Sequence, residues 1–193
     1  MSLEFFPSSE QLKAAAKQTP QYMGPSEVPY AVVYPELLVP ETCRSIAQLG
    51  MAEEPYKFHS CDAETREFTR PLNKLLEPIT LFAESCNHYF FNYDLYASTA
   101  AWLQTYTDGD SYAEHVDAAP GQTRKLTAVA LLSAFDQYSG GELILSSGGV
   151  NYVVPNAQGT VVVFQAHIPH RVTEVYAGRR QTVNVGFFGP QWR

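Results

Sequence analysis

Two short stretches hold most of the residues whose types and spacing could do chemistry. In "YAEHVDAA", His115 and Asp117 stand at positions i and i+2, which share one face of an extended strand, so an imidazole and a carboxylate reach a common point. Such a pair occurs on many protein surfaces and becomes a metal site only with a third ligand. The stretch "AHIPHRVTEVYAGRR" offers His167 and His170, which would face opposite ways on any strand that carried both. His170 opens the alternating run "HRVTEV", whereas His167 lies just before Pro169, where the chain is turning. The expected ligand is therefore His170, with His167 outside the ligand set. Two imidazoles and one carboxylate on one face of an octahedron hold a divalent ion and leave three positions open to exogenous ligands.

The same stretch ends in Arg179 and Arg180. A dicarboxylate bound to a metal by one end needs a fixed cation at the other, and guanidinium is a two-pronged, permanently charged donor. Neighbouring strand residues face opposite ways, so only one arginine of the pair can look inward. Arg180 begins the strand after the "YAG" turn, and an antiparallel neighbour of the His170 strand would carry it back beside that histidine. Asn184, four residues further on the same face, is a candidate polar contact deeper inside. Zinc accepts the same three ligands, and a zinc hydrolase would need a general base, for which Glu114 and Glu142 are the candidates.

The elements that must position these residues divide the chain in two. "PSSEQLKAAAKQTP" reads as a short helix ending at Pro20, and "VPETCRSIAQLGMA" as a helix opened by Pro40 and Glu41 and closed by Gly50. "PLNKLLEPITLFAESCNHYF" has apolar residues at helical intervals, with Pro78 expected to kink or divide it. Between the last two, residues 56 to 70 read as a loop or exposed hairpin long enough to cover a site. From Leu95 onward the period is that of strands, in short runs separated by "DGD", "PGQ", "QYSGG", "PNAQ" and "AG" turns. The fold class is mainly β with supporting helices, a sandwich or a closed barrel. We expect one domain over 1–193, with 1–94 mostly helical support and outer strands and 95–190 the barrel core.

Composition limits the function classes. The 193 residues are 45% hydrophobic and 17% charged, which disfavours disorder, and no apolar run approaches the roughly 20 residues of a membrane span. A net charge of -7 gives no footprint for nucleic acid. Cys43, Cys61 and Cys86 are odd in number and lack CxxC spacing, which suggests reduced thiols. With no basic, apolar leader pattern at the start, the expected location is the cytoplasm. We expect no membrane partner, and oligomeric state is open.

Taken together, "YTDGDSYAEHVD", "LTAVALLSAFDQYSGGELIL" and "HRVTEVYAGRR" resemble the Fe(II)- and 2-oxoglutarate-dependent oxygenases of the prolyl 4-hydroxylase-like family, over roughly residues 95 to 188. The resemblance implies a double-stranded β-helix, a jelly-roll-like, cupin-type barrel. It implies His115, Asp117 and His170 as iron ligands, Arg180 on the distal carboxylate of 2-oxoglutarate, Tyr106 near the cosubstrate and Arg124 facing the substrate. Gly109 would permit a turn and Tyr112 would pack. The implied cofactors are Fe(II), 2-oxoglutarate and O2, with ascorbate as an accessory reductant. The implied reaction is hydroxylation of an unactivated C-H bond with decarboxylation of 2-oxoglutarate to succinate. The first candidate target is C4 of a peptidyl proline in a protein or peptide; a free amino acid, a lysyl residue or a small metabolite are alternatives, as is a non-catalytic metal-binding barrel. The chain departs from the pattern at Leu131, where some relatives have a tyrosine on the distal carboxylate, at Leu143 in place of threonine, and at Gly186 in place of tryptophan.

Overall fold

The computed structural model describes residues 21–23, 29–57, 61–69, 73–97, 99–118 and 121–192. The expected helix ending at Pro20 lies outside them. Strands follow in chain order: β1 Gln21–Met23, β2 Ala31–Tyr34, β3 Pro55–Tyr56, β4 Glu64–Glu67, β5 Thr99–Tyr106, β6 Tyr112–His115 and β7 Arg124–Leu131. After these come β8 Tyr138–Gly140, β9 Leu143–Ser147, β10 Val150–Val153, β11 Val161–Gln165, β12 His170–Val172, β13 Val175–Gly178 and β14 Arg180–Phe188. Among the described residues two α-helices, α1 Pro40–Gly50 and α2 Asn73–Cys86, precede β5, and a π-helical turn, Asn87–Phe91, extends α2.

A large sheet runs β1-β2-β11-β7-β14-β5-β4-β3, a smaller one β10-β9-β12-β6, and β13 pairs with β8 in a separate ribbon. Alternation along the large sheet assigns its two faces. Leu126, Ala128, Ala130, Val161, Val163, Val183 and Val185 point to one side, where they bury Ile46 of α1 and Ile79 and Phe82 of α2. Tyr106, Val129, Val162 and Phe164 point to the other, against Leu143, Leu145 and Val172 of the smaller sheet. This is the double-stranded β-helix arrangement, mainly β with helical support on one face; the two sheets face each other without closing into a continuous hydrogen-bonded barrel among the described residues.

Two expectations are narrowed and one is overturned. Of the two outcomes expected at Pro78, division is excluded, since the residue lies inside one continuous α2. As the sixth residue of the helix it forgoes one bond, to the Lys74 carbonyl near the start, where the loss disturbs little of the ladder. Of the loop or exposed hairpin expected over 56–70, the described residues show the hairpin. It is formed by β3 and β4 and adds to β5 through Glu64↔Thr105 to Glu67↔Trp102, while Cys61 and Ala63 are buried in the inter-sheet core. Finally, β14 is not the neighbour of β12. The run "HRVTEVY" breaks into β12 and β13, and the chain then crosses to the large sheet, where β14 pairs with β5 and β7. Arg180 therefore faces the histidines across the space between the sheets.

Candidate metal centre

β6 and β12 are antiparallel, and His115 pairs directly with His170, bringing the two rings to 4.1 Å between centroids. Just beyond β6 the backbone N–H groups of Asp117 and Ala118 both donate to the Ala166 carbonyl at 2.9 Å, which fixes where the Asp117 side chain starts. One ligand atom from each of His115, Asp117 and His170 lies within 4.8 Å of the others. Each imidazole has its Nδ1 against a carbonyl, Ala113 at 2.8 Å and Ile168 at 3.0 Å. A carbonyl only accepts, so Nδ1 carries the proton and Nε2 keeps its lone pair for a metal. The Tyr112 ring stacks on His115 at 3.8 Å and 16°.

Asp117 is held from its other side. Its Oδ2 lies 3.0 Å from Arg124 Nη1 and accepts from the Thr127 hydroxyl, while Oδ1 faces His115 Nε2 at 3.7 Å. Burial would raise this carboxyl, but the Arg124 charge, then His170, the Thr127 hydrogen bond and His115 outweigh it and hold the pKa below the ordinary value. Burial lowers that of His170, against the pull of Asp117. The set is thus an ionised carboxylate, a His170 imidazole that burial keeps neutral, and a second imidazole whose Nε2 is turned to the same point, which is the donor chemistry of a divalent first-row metal.

These side chains line a cavity of about 510 Å³ between the sheets, together with Trp102, Gln104, Tyr106, Arg124, Arg180 and Asn184 among others. Arg180 is 3% exposed whereas Arg179 is exposed, as strand alternation requires. The Arg180 Nε and Nη1 have no hydrogen-bond partner, and neither does Asn184 Oδ1. Its guanidinium lies 5.2 Å from the Tyr106 ring. A buried guanidinium with two of its nitrogens lacking an acceptor is costly and suits a site shaped for an anion. Gly141 keeps the passage open: a Cβ there would sit 2.7 Å from Arg180 Cδ, and its φ of +66 is one that glycine adopts without strain. Behind the cavity wall the Tyr106 hydroxyl donates to Gln104 Oε1 at 3.0 Å, which also accepts from Asn184 Nδ2 at 2.7 Å. Burial drives the Tyr106 hydroxyl well above the usual phenol range, so it stays a neutral donor.

The sequence-derived candidates His115, Asp117, His170, Arg180, Tyr106, Arg124 and Asn184 all reach this cavity. His167 does not; it is exposed, with its ring 6.1 Å from Trp192. Glu114 accepts from Arg171 and Ser146 at the surface, and Glu142 accepts from Thr173, so neither lines the cavity as a general base would. Thr127, Gln104, Trp102 and Thr182 were not anticipated, although "TAAWLQTY" and "RQTVNVGFF" place Trp102, Gln104, Thr182 and Asn184 at inward alternate positions once Tyr106 and Arg180 are taken as inward.

A model of the 2OG-Fe(II) oxygenase superfamily matches residues 101–188. A PKHD-type hydroxylase of Maricaulis maris is 34% identical over 83 residues, 42% of this chain and 38% of that protein. One of Shewanella oneidensis is 30% identical over 132 residues, 61% and 58% respectively, so the chain spans less than two thirds of the length of the curated relatives it matches. A Pseudomonas putida prolyl-4-hydroxylase superposes with a TM-score of 0.73 at 19% identity, covering 93% of this chain and 99% of that one. A Trichoplax adhaerens prolyl hydroxylase, solved with a peptide fragment of hypoxia inducible factor, gives 0.69 at 14% identity over 93% and 88%. The matched segment, a little under half of the chain, holds all three candidate ligands and the buried arginine, and its fold is that of the prolyl 4-hydroxylases; it is similar to the 2OG-Fe(II) oxygenase superfamily, whose cofactors are Fe(II), 2-oxoglutarate and O2.

Proposed function

We propose that the protein hydroxylates C4 of a proline residue in a protein or peptide, with His115, Asp117 and His170 as the iron ligands and Arg180 as the anchor of the 2-oxoglutarate distal carboxylate. The observation that carries this reading is the buried Arg180 guanidinium in the same cavity as the triad, with its Nε and Nη1 left without a hydrogen-bond partner. A metal-binding barrel or a zinc hydrolase has no use for a cation in that position, whereas a dicarboxylate cosubstrate needs one. When bound, the iron, cosubstrate and oxygen together supply the oxidising power for C-H hydroxylation, and 2-oxoglutarate leaves as succinate.

The chain's own residues do the rest. The carbonyls of Ala113 and Ile168 aim both Nε2 atoms at one point, and Arg124 and Thr127 hold Asp117 Oδ2 so that Oδ1 is presented to the ion. Tyr106, Gln104 and Asn184 form a hydrogen-bonded wall beside Arg180, and Val129 and Leu143 close the cavity to bulk water there. Proline as the target is favoured by the fold shared with prolyl 4-hydroxylases; a free amino acid, a lysyl residue or a small metabolite would meet the same reacting centre. The three cysteines are buried and unpaired, and no described helix is long and apolar enough to cross a membrane, which supports a cytoplasmic setting. Succinate formation from 2-oxoglutarate under air with Fe(II) and ascorbate, read alongside mass spectrometry of proline-containing peptides, tests the proposal. A gain of one oxygen on proline is the expected result; succinate without any modified peptide would remove proline from it, and no succinate at all would remove the oxygenase reaction.

A further inference from the structure

Arg124 does not follow the alternation of its own strand. Along β7, Thr127 and Val129 face the cavity, so Lys125 should do so and Arg124 should not. The pairing with β14 slips between Phe187↔Leu126 and Phe188↔Arg124, skipping Lys125. Bulges of this kind re-aim side chains. Lys125 turns instead onto the Trp192 ring at 3.7 Å, and Arg124 enters the cavity. There its guanidinium lies 4.7 Å from the Trp102 ring and 5.8 Å from the Phe188 ring. Gly186 leaves the floor of this slot open: a Cβ would stand 2.9 Å from Arg124 Nε and 3.1 Å from Nη2. Nη1 is engaged by Asp117, while Nε and Nη2 meet no acceptor among the described residues.

We propose that Arg124, held in the slot formed by Trp102, Phe188 and Gly186, binds a carboxylate of the substrate, and that the substrate is therefore an anion. This rests on the oxygenase reading above and names the substrate class for the same site. The charges lining the cavity support it. Summed over the cavity, a divalent ion with Arg124 and Arg180 outweighs doubly charged 2-oxoglutarate with Asp117 by one positive charge, which is left for the substrate to meet. A planar guanidinium lying over an aromatic ring can offer its edge, which suits a carboxylate. The carboxylate comes either from a free amino acid or from a peptide, through its C-terminus or an acidic side chain beside the target.

Trp102 is one of two tryptophans, so Trp192→Phe leaves a single reporter in contact with Arg124. With this variant loaded with Fe(II) and 2-oxoglutarate without oxygen, its fluorescence is titrated with four probes. These are L-proline, acetyl-Ala-Pro-Ala as the free acid, the same peptide as its C-terminal amide, and acetyl-Ala-Pro-Glu-amide. At least one carboxylate probe is expected to bind about tenfold or more tighter than the neutral amide, and the tightest of the three identifies the source. Arg124→Gln should bring that ratio under about threefold, Arg124→Lys should restore part of it, and Gly186→Ala should act like Arg124→Gln because the added methyl displaces the guanidinium. Iron content, measured in each variant, separates loss of the carboxylate contact from loss of Asp117 geometry. A neutral amide that binds as tightly as the acids, no response to any acid, or a preference that survives Arg124→Gln in iron-replete protein overturns the proposal. Succinate formed without added substrate is scored separately and reports on the oxygenase reading alone.

Discussion

Arg180 is a permanent cation whose Nε and Nη1 are sealed from water and meet no protein acceptor. Removing the cation from a charge-assisted contact that leaves the partner buried costs on the order of 2 to 5 kcal/mol. Arg180→Ala should therefore raise the apparent KM for 2-oxoglutarate at least about 30-fold, and Arg180→Lys less, since the charge survives without the fork. Arg179, exposed on the other face, should change it little as alanine. Steady-state kinetics on the three variants check this; equal losses at both arginines would contradict the register seen here. The proposed ligand residues make a pH statement of fixed sign. Burial holds His170 below its ordinary 6.5, so the unfolded chain takes the proton first and the metal-free protein loses stability as pH falls below about 6.5. Asp117, held below 3.8, adds stability above that value that is lost as pH falls through its depressed folded value. Denaturant midpoints of the metal-free protein across pH 8 to about 4 should fall monotonically; a rise on acidification would mean that His170 gains, not loses, from its surroundings. Of these residues, the triad and Arg180 were legible because strand spacing alone decides which side chains share a face. Arg124 was legible only through resemblance, because the bulge that turns it inward leaves no mark in the local pattern.

Among the elements, the two helices and most strands after Leu95 follow from period and turn residues. β8 does not, because Gly140 and Gly141 have positive φ and "QYSGG" looks like a turn although its middle three residues pair with β13. The break of "HRVTEVY" into β12 and β13, and the crossing of β14 into the large sheet, depend on pairings between distant segments that no local pattern records. One consequence belongs to the pair β6 and β12. β6 is the outer strand of the smaller sheet, joined to β12 through a pairing with an irregular step between His170 and Val172 and otherwise, among the described residues, by a single bridge from Tyr112 to Cys61. An ion held by His115 and His170 spans that pairing. Amide hydrogen exchange on β6 should accordingly slow when the metal is added, while β5 and β14 in the large sheet change little. Exchange followed by mass spectrometry, with and without a redox-inert divalent ion, checks this; equal protection in both states would show that the edge is ordered without the metal.

At the scale of the whole molecule the cysteines report on compactness. Burial pushes the thiols of Cys43 and Cys61 up to about 11 and that of Cys86 higher still. All three should resist alkylation in the native protein at neutral pH and react after unfolding with no reductant needed. A thiol that reacts only after reduction would contradict the free state seen here. The large sheet that buries them also separates two kinds of position. Along β14, Arg180, Thr182, Asn184 and Phe188 line the cavity, whereas Val183, Val185 and Phe187 lie in the helix-side core. One nine-residue segment therefore carries two interleaved texts, one written in affinity and the other in melting temperature. A library randomised at 182, 184 and 188 should redistribute substrate preference with a narrow spread of Tm, and one randomised at 183, 185 and 187 should do the reverse. New specificities are then to be sought at alternate codons of a single strand, without first rebuilding the support beneath it.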